Sequence, residues 1–172
     1  MSEIDIWAAK MRAEGLAERT ISERARIVTE CAKATGKPAT GLLEEDVVAW
    51  LTTPSFSPGT RQKYYGAVHT WSSHLQRAGV RPDDPTENLR SPRVPRRQPR
   101  PVADEGLELV LGSRMHHRTR VMLHLMAYQG LRRHEVAKFR GEDIDLIAGT
   151  VTVVGKGGVV AVNPLHEVIA AD

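Results

Sequence analysis

Between Val80 and Pro101 the chain can be neither helix interior nor sheet. Six of its ten prolines fall there (Pro82, Pro85, Pro92, Pro95, Pro99 and Pro101), and no apolar residue recurs at a regular spacing. Proline lacks a backbone N–H and holds φ near about −65°, so it breaks helices and sheet ladders alike. Residues 81–101 therefore read as an extended interdomain linker. They divide the 172-residue chain into a segment over 1–80 and another over 102–172.

The linker also holds the chain's surplus charge. Arg90, Arg93, Arg96, Arg97 and Arg100 lie within eleven residues that contain no acid. The whole chain has 24 Lys and Arg against 21 Asp and Glu; outside this stretch 19 basic residues face the 21 acidic ones. Extended chain advances ~3.1 Å per residue, so arginines at every third or fourth position can follow a phosphate backbone. Each neutralised phosphate releases counterions and gives salt-dependent affinity. A solvated linker kept soluble by charge has the same composition.

With 41% hydrophobic and 26% charged residues, the chain reads as soluble and globular rather than disordered. No apolar run approaches the ~18 residues of a membrane span, and the acidic start Met1–Trp7 is no signal peptide. The lone Cys31 excludes an internal disulfide and any cysteine-only metal site. A reducing cytoplasm is the expected compartment.

Residues 2–79 read as four helices. Ile4, Trp7, Ala8 and Met11 share a face that stops at Gly15. Thr20 and Glu23 have capping-box spacing for a second helix, closed by Gly36 and Pro38. A third carries Leu43, Val47, Trp50 and Leu51. A fourth opens with Ser57 and Pro58 and lines up Tyr64, Val68, Trp71, Leu75 and Ala78. The three tryptophans fall on apolar faces and read as core.

After the linker, helical patterns cover 104–111, 116–129 and 133–139. In the second of these Val121, Leu125 and Tyr128 share a face, which predicts a buried Tyr128. Two β-branched runs, 150–154 and 159–162, flank Gly155-Lys-Gly-Gly158 and predict a hairpin with Lys156 at its tip.

Two places beyond the linker can carry chemistry. In Gly130-Leu-Arg-Arg-His-Glu135 a turn glycine precedes Arg132 at a helix start, and Glu135 lies three residues on. An acid holding the guanidinium would leave its other donors for a phosphate fork; the same spacing fits an ordinary surface ion pair. Lys156 fits a proton donor to a leaving oxygen or a plain turn lysine. His116, His117 and His124 lack the spacing of a metal site. No cofactor, metal or small-molecule substrate is implied.

Taken in order, these motifs resemble the tyrosine recombinase (phage integrase) family over nearly the whole chain. Thr60 and Tyr64 match its Thr-x-x-x-Tyr helix start. Leu125–Glu135 matches the segment of its first catalytic arginine. Glu142-Asp-Ile-Asp145, Val154–Gly157 and Asn163-Pro-Leu165 follow in the family's order. The resemblance implies a mainly α fold: a four-helix, SAM-like core-binding domain (1–80), the linker, and a partial α+β catalytic domain with a β-hairpin (102–172). It makes Arg132 the phosphate-binding arginine, Glu135 its acidic support and Lys156 the donor to the leaving 5′-oxygen. Arg61 and Lys63, inside the fourth helix, join the linker arginines as DNA-binding residues. The implied partners are double-stranded DNA and other recombinase protomers, as in phage or prophage integration.

Two departures accompany the match. Gly157-Gly-Val-Val-Ala-Val162 lacks the further basic residues of family hairpins. The family's His-x-x-Arg motif and nucleophilic tyrosine lie beyond the matching point, and His166-Glu-Val-Ile169 ends in isoleucine. Tyr64, Tyr65 and Tyr128 have no activating neighbour in the pattern. The expectation is a truncated chain that binds DNA without cutting it, or a recombinase-derived regulator without catalysis. A helix-turn-helix regulator would need a longer recognition helix than 133–139.

Overall fold

The computed structural model describes residues 2–96 and 98–171, with Lys156 described through its backbone only. The chain divides into two compact units, Met1–Gln98 and Pro99–Asp172.

The first unit contains α1 (Glu3–Ala13), α2 (Glu18–Thr35), α3 (Glu44–Leu51) and α4 (Pro58–Arg77). Ser2 and Asp5 cap α1 reciprocally, and Ser57 Oγ accepts the Thr60 amide at 3.2 Å to start α4. The expected capping box at Thr20 and Glu23 does not form. The second helix starts earlier, after Ala17, and Glu23 lies more than a turn inside it. There its carboxylate accepts from Arg26 at 2.9 Å and from Lys63 on α4. Those two cations, Arg26 first, hold the Glu23 carboxyl down to about 2.

Helix α4 crosses the whole core. Val68 packs with Ile27, Val47 and Leu51, while Trp71 and Leu75 pack with Trp7, Met11 and Val28. All three tryptophans are buried. Trp71 also donates to the Ala39 carbonyl at 2.9 Å, so its indole N–H is satisfied. Ala78 is exposed, because α4 ends at Arg77. Cys31 is fully buried, and burial pushes its thiol up to about 12, leaving it protonated and inert.

The proline-rich gap is not extended throughout. Residues 82–90 form turns that pack back on α4. Asp84 accepts the Thr86 amide at 2.8 Å and the Ser73 hydroxyl at 2.8 Å. The Leu89 carbonyl accepts from Tyr65 Oη at 2.8 Å, and Arg81 donates to the Leu42 carbonyl at 2.8 Å. Side chains here supply the partners that secondary structure would otherwise supply, and such bonds leave no periodicity to read. From Ser91 to Arg96 the chain has no regular structure.

The second unit contains α5 (Asp104–Leu111), α6 (His117–Ala127), α7 (Arg133–Val136), β1 (Ile144–Asp145), β2 (Thr150–Val154), β3 (Val160–Pro164) and α8 (Glu167–Ala170). The strands form an antiparallel sheet in the order β1-β2-β3, with Val151 opposite Ile144 and Asn163. Leu125, Leu131, Val136 and Ile169 form the core. Strand β3 is exposed along its length, leaving Val160 and Val162 uncovered. Tyr128 is exposed, against expectation. Helix α6 stops at Ala127, and the ring turns away to stack on His166 at 5.0 Å.

His74 is buried between Trp7 and Trp71, and neither of its ring nitrogens has a partner. Burial, reinforced by Lys10 and Arg77 against Glu3 and Glu14, pushes its pKa below the ordinary 6.5. The unfolded chain then binds the proton more readily, so this contribution is complete above about pH 6.5 and is lost on acidification. Urea unfolding at a series of pH values should show His74→Phe flattening the stability decline between about pH 7 and pH 5.

Candidate phosphate site and nucleic-acid interface

The turn after α6 shapes the first site. Gly130 sits at φ 69°, in the left-handed region where a Cβ is strained. Leu131 then enters the core and its amide bonds the Leu125 carbonyl at 3.1 Å. This fixes Arg132 at the N-cap of α7. Glu135, buried at the third position of that helix, accepts the Arg132 amide at 2.7 Å and Arg132 Nη1 at 3.1 Å. The Arg132 amide chiefly, and its guanidinium next, hold the Glu135 carboxyl below its usual range despite burial. The Arg132 side chain is 76% exposed, so a guanidinium held through one terminal nitrogen keeps its other N–H donors open.

Arg132 and Glu135 line a cleft of about 330 Å³ with Gln129, Val153, Gly155 and Asn163. The β2–β3 hairpin forms its other wall, closed by the Gly155 amide donating to the Val159 carbonyl at 2.8 Å. The Lys156 backbone follows Gly155 at the edge of this wall; the Lys156 side chain lies outside the described residues. An anion would therefore meet donors from one side of this cleft, where an arginine is already oriented. Tyr128 does not line the cleft, Tyr64 is stacked on Trp50 at 4.9 Å, and Tyr65 is tied to Leu89.

The other predicted residues lie in the first unit and in the segment joining the two. Arg90, Arg93, Arg96 and Arg100 are exposed, and Arg97 lies outside the described residues. Lys63 lines a groove of about 760 Å³ between α2 and α4. Arg61 does not line it, and its Nε is buried without a partner. The groove adds Arg19, Arg24 and His69, which the sequence reading does not single out. Gly59 and Gly66, two turns apart on α4, line the same groove with open space where side chains would stand. Small residues seven apart beside Lys63 were the available signal. Among the described residues, no three His, Cys, Asp or Glu are placed to hold a metal ion.

No family model matches the chain. The tyrosine recombinase XerD of Vibrio cholerae serotype O1 is 30% identical over 128 residues, which cover 72% of this chain and 42% of that one. The integrase from mycobacterium phage Brujita is 38% identical with a TM-score of 0.54, over 98% of this chain and 59% of that one. The chain belongs to the tyrosine recombinase family. A lambda integrase dimer bound to a COC′ core site shares the recombinase fold, with a TM-score of 0.75 at 16% identity over 94% of this chain and 60% of that one. This recombinase chain spans less than two thirds of the length of each of these relatives.

Two substitutions test the turn that presents Arg132. Gly130→Ala meets open space, so only backbone strain acts, and thermal unfolding should show a loss of about 1–2 kcal/mol. Arg132→Ala should leave the melting temperature nearly unchanged, because the backbone amide still binds Glu135.

Proposed function

We propose that this chain is the DNA-binding part of a site-specific recombinase of the integrase type. In this reading residues 1–80 are the core-binding domain, 81–101 the basic linker and 102–172 the first part of the catalytic domain. The observation that carries it is the exposed Arg132 guanidinium, held by a buried carboxylate and facing the hairpin wall of one cleft. Such a fixed fork suits a phosphodiester, whose charge grows as the phosphorus becomes pentacoordinate. Arg132 would bind that phosphate, Glu135 would orient it, and Lys156 would donate a proton to the departing 5′-oxygen. In the chemistry that the family resemblance implies, a tyrosine hydroxyl would attack that phosphorus and displace the 5′-oxygen, so bond energy would be kept in a phosphotyrosine link without metal or ATP.

The exposed linker arginines and the cationic groove between α2 and α4 would hold the duplex through its phosphates. Double-stranded DNA and further recombinase protomers are the proposed partners, in a cytoplasmic, DNA-associated setting. Alone, this chain would bind without cutting. Its three tyrosines are engaged with Trp50, Leu89 and His166 rather than placed on the Arg132 cleft.

Two measurements test the reading. Changing Arg93, Arg96, Arg97 and Arg100 together to Ala should weaken binding to every duplex and lower the salt slope by up to about 3–4. An unchanged slope would remove the linker from the interface. On a nicked suicide duplex the chain should yield no covalent adduct; a phosphotyrosine adduct would overturn the assignment of the tyrosines.

A further inference from the structure

One exposed side chain in the α2–α4 groove is held more firmly than solvent exposure requires. His69 lines the groove, and its ring lies face to face with Tyr65, with centroids 5.5 Å apart and planes 6° apart. Its Nδ1 is 2.7 Å from Thr86 Oγ1. Thr86 is fully buried, and its hydroxyl donates to Asp84 Oδ1 at 2.6 Å. That carboxylate also accepts the Thr86 amide and the Ser73 hydroxyl, each at 2.8 Å. Burial alone would raise the Asp84 carboxyl, but these donors bring it below its usual range, so it is an ionised acceptor.

The tautomer follows from counting protons. A hydroxyl has one, and Thr86 gives its proton to Asp84. Its oxygen can then only accept from His69, which places the imidazole proton on Nδ1. In the neutral ring Nε2 is left as a bare acceptor, on the edge away from Thr86. Phosphate oxygens are acceptors too, and Arg19, Arg24 and Lys63 already supply the groove with donors for them. In a duplex major groove the hydrogen-bond donors are the exocyclic amines, N6 of adenine and N4 of cytosine.

We propose that His69 reads a base, its Nε2 accepting a hydrogen bond from the exocyclic amine of an adenine or cytosine, with Thr86 and Asp84 as positioning residues. This rests on the reading that the first unit holds duplex DNA. It turns a salt-dependent groove into one with a preference at a single base pair. It also explains why residues 82–90 fold back on α4: the turn that opens the linker orients a side chain on the DNA face.

The test selects preferred duplexes from a randomised pool with the full 172-residue chain, then measures affinity for the preferred site and its single-base variants. His69→Phe keeps the ring stacked on Tyr65 and removes the acceptor. It should flatten the preference at one A- or C-containing pair by about fivefold to tenfold, the scale of one hydrogen bond to a base edge. Its salt slope should not change. Thr86→Val should have the same effect and Thr86→Ser should restore the preference, which a merely structural role for Thr86 would not predict. Removing the amine from the DNA, with purine in place of adenine or 2-pyrimidinone in place of cytosine, should weaken wild-type binding by the same factor and leave His69→Phe unaffected. If the wild type binds no duplex, the DNA-binding reading falls and this inference falls with it. If it binds and His69→Phe keeps the same base preference, only the inference is overturned.

Discussion

Carboxylates that accept the backbone N–H three residues before them hold this fold's short elements in place. Asp5 does so for Ser2 at 2.8 Å, Asp46 for Leu43 at 2.8 Å, Glu135 for Arg132 at 2.7 Å and Asp143 for Arg140 at 2.7 Å. Each bond answers an amide that the helix leaves without a partner, and each places negative charge where the helix dipole favours it. Asp5, Asp46 and Glu135 are all held below the ordinary carboxylate range by these donors or by the cation that joins them. In a helix as short as α7, one such bond decides whether the turn exists.

At α7 the same device becomes a binding site. A carboxylate that caps with one oxygen still has the other, and Glu135 spends it on the arginine of the residue it caps. Capping and orienting are then a single arrangement, which explains how a four-residue helix can aim a long, flexible side chain. Leu131 and Val136 flank the pair and bury into the core, which shields the carboxylate from water and strengthens its hold on the guanidinium.

The linker shows a division of labour along one proline-rich stretch. Its first part is folded, through Asp84, Thr86 and the Leu89 carbonyl, onto the face of α4 beside the groove. Its later part carries the arginines and has no regular structure. Proline content treats both alike, because it reports only what the backbone cannot do. What the first part does instead depends on Ser73, His69 and Tyr65, which precede it by up to 24 residues.

Local pattern was enough for α1, α3 and α4, for the hairpin, for the core positions of Trp7, Trp50 and Trp71, and for the pairing of Arg132 with Glu135. All of these rest on spacings within a few residues, where helix and strand periods act directly. Only the tertiary structure decided the rest. It brought Glu23 to Lys63, forty residues away. It turned Tyr128 outward onto His166, and it buried Glu135 while leaving most of the Arg132 side chain exposed. It also set the proton of His69 through Thr86, seventeen residues on. Partners so far apart in the chain are chosen by which surfaces meet when the core closes, and no local period records that choice.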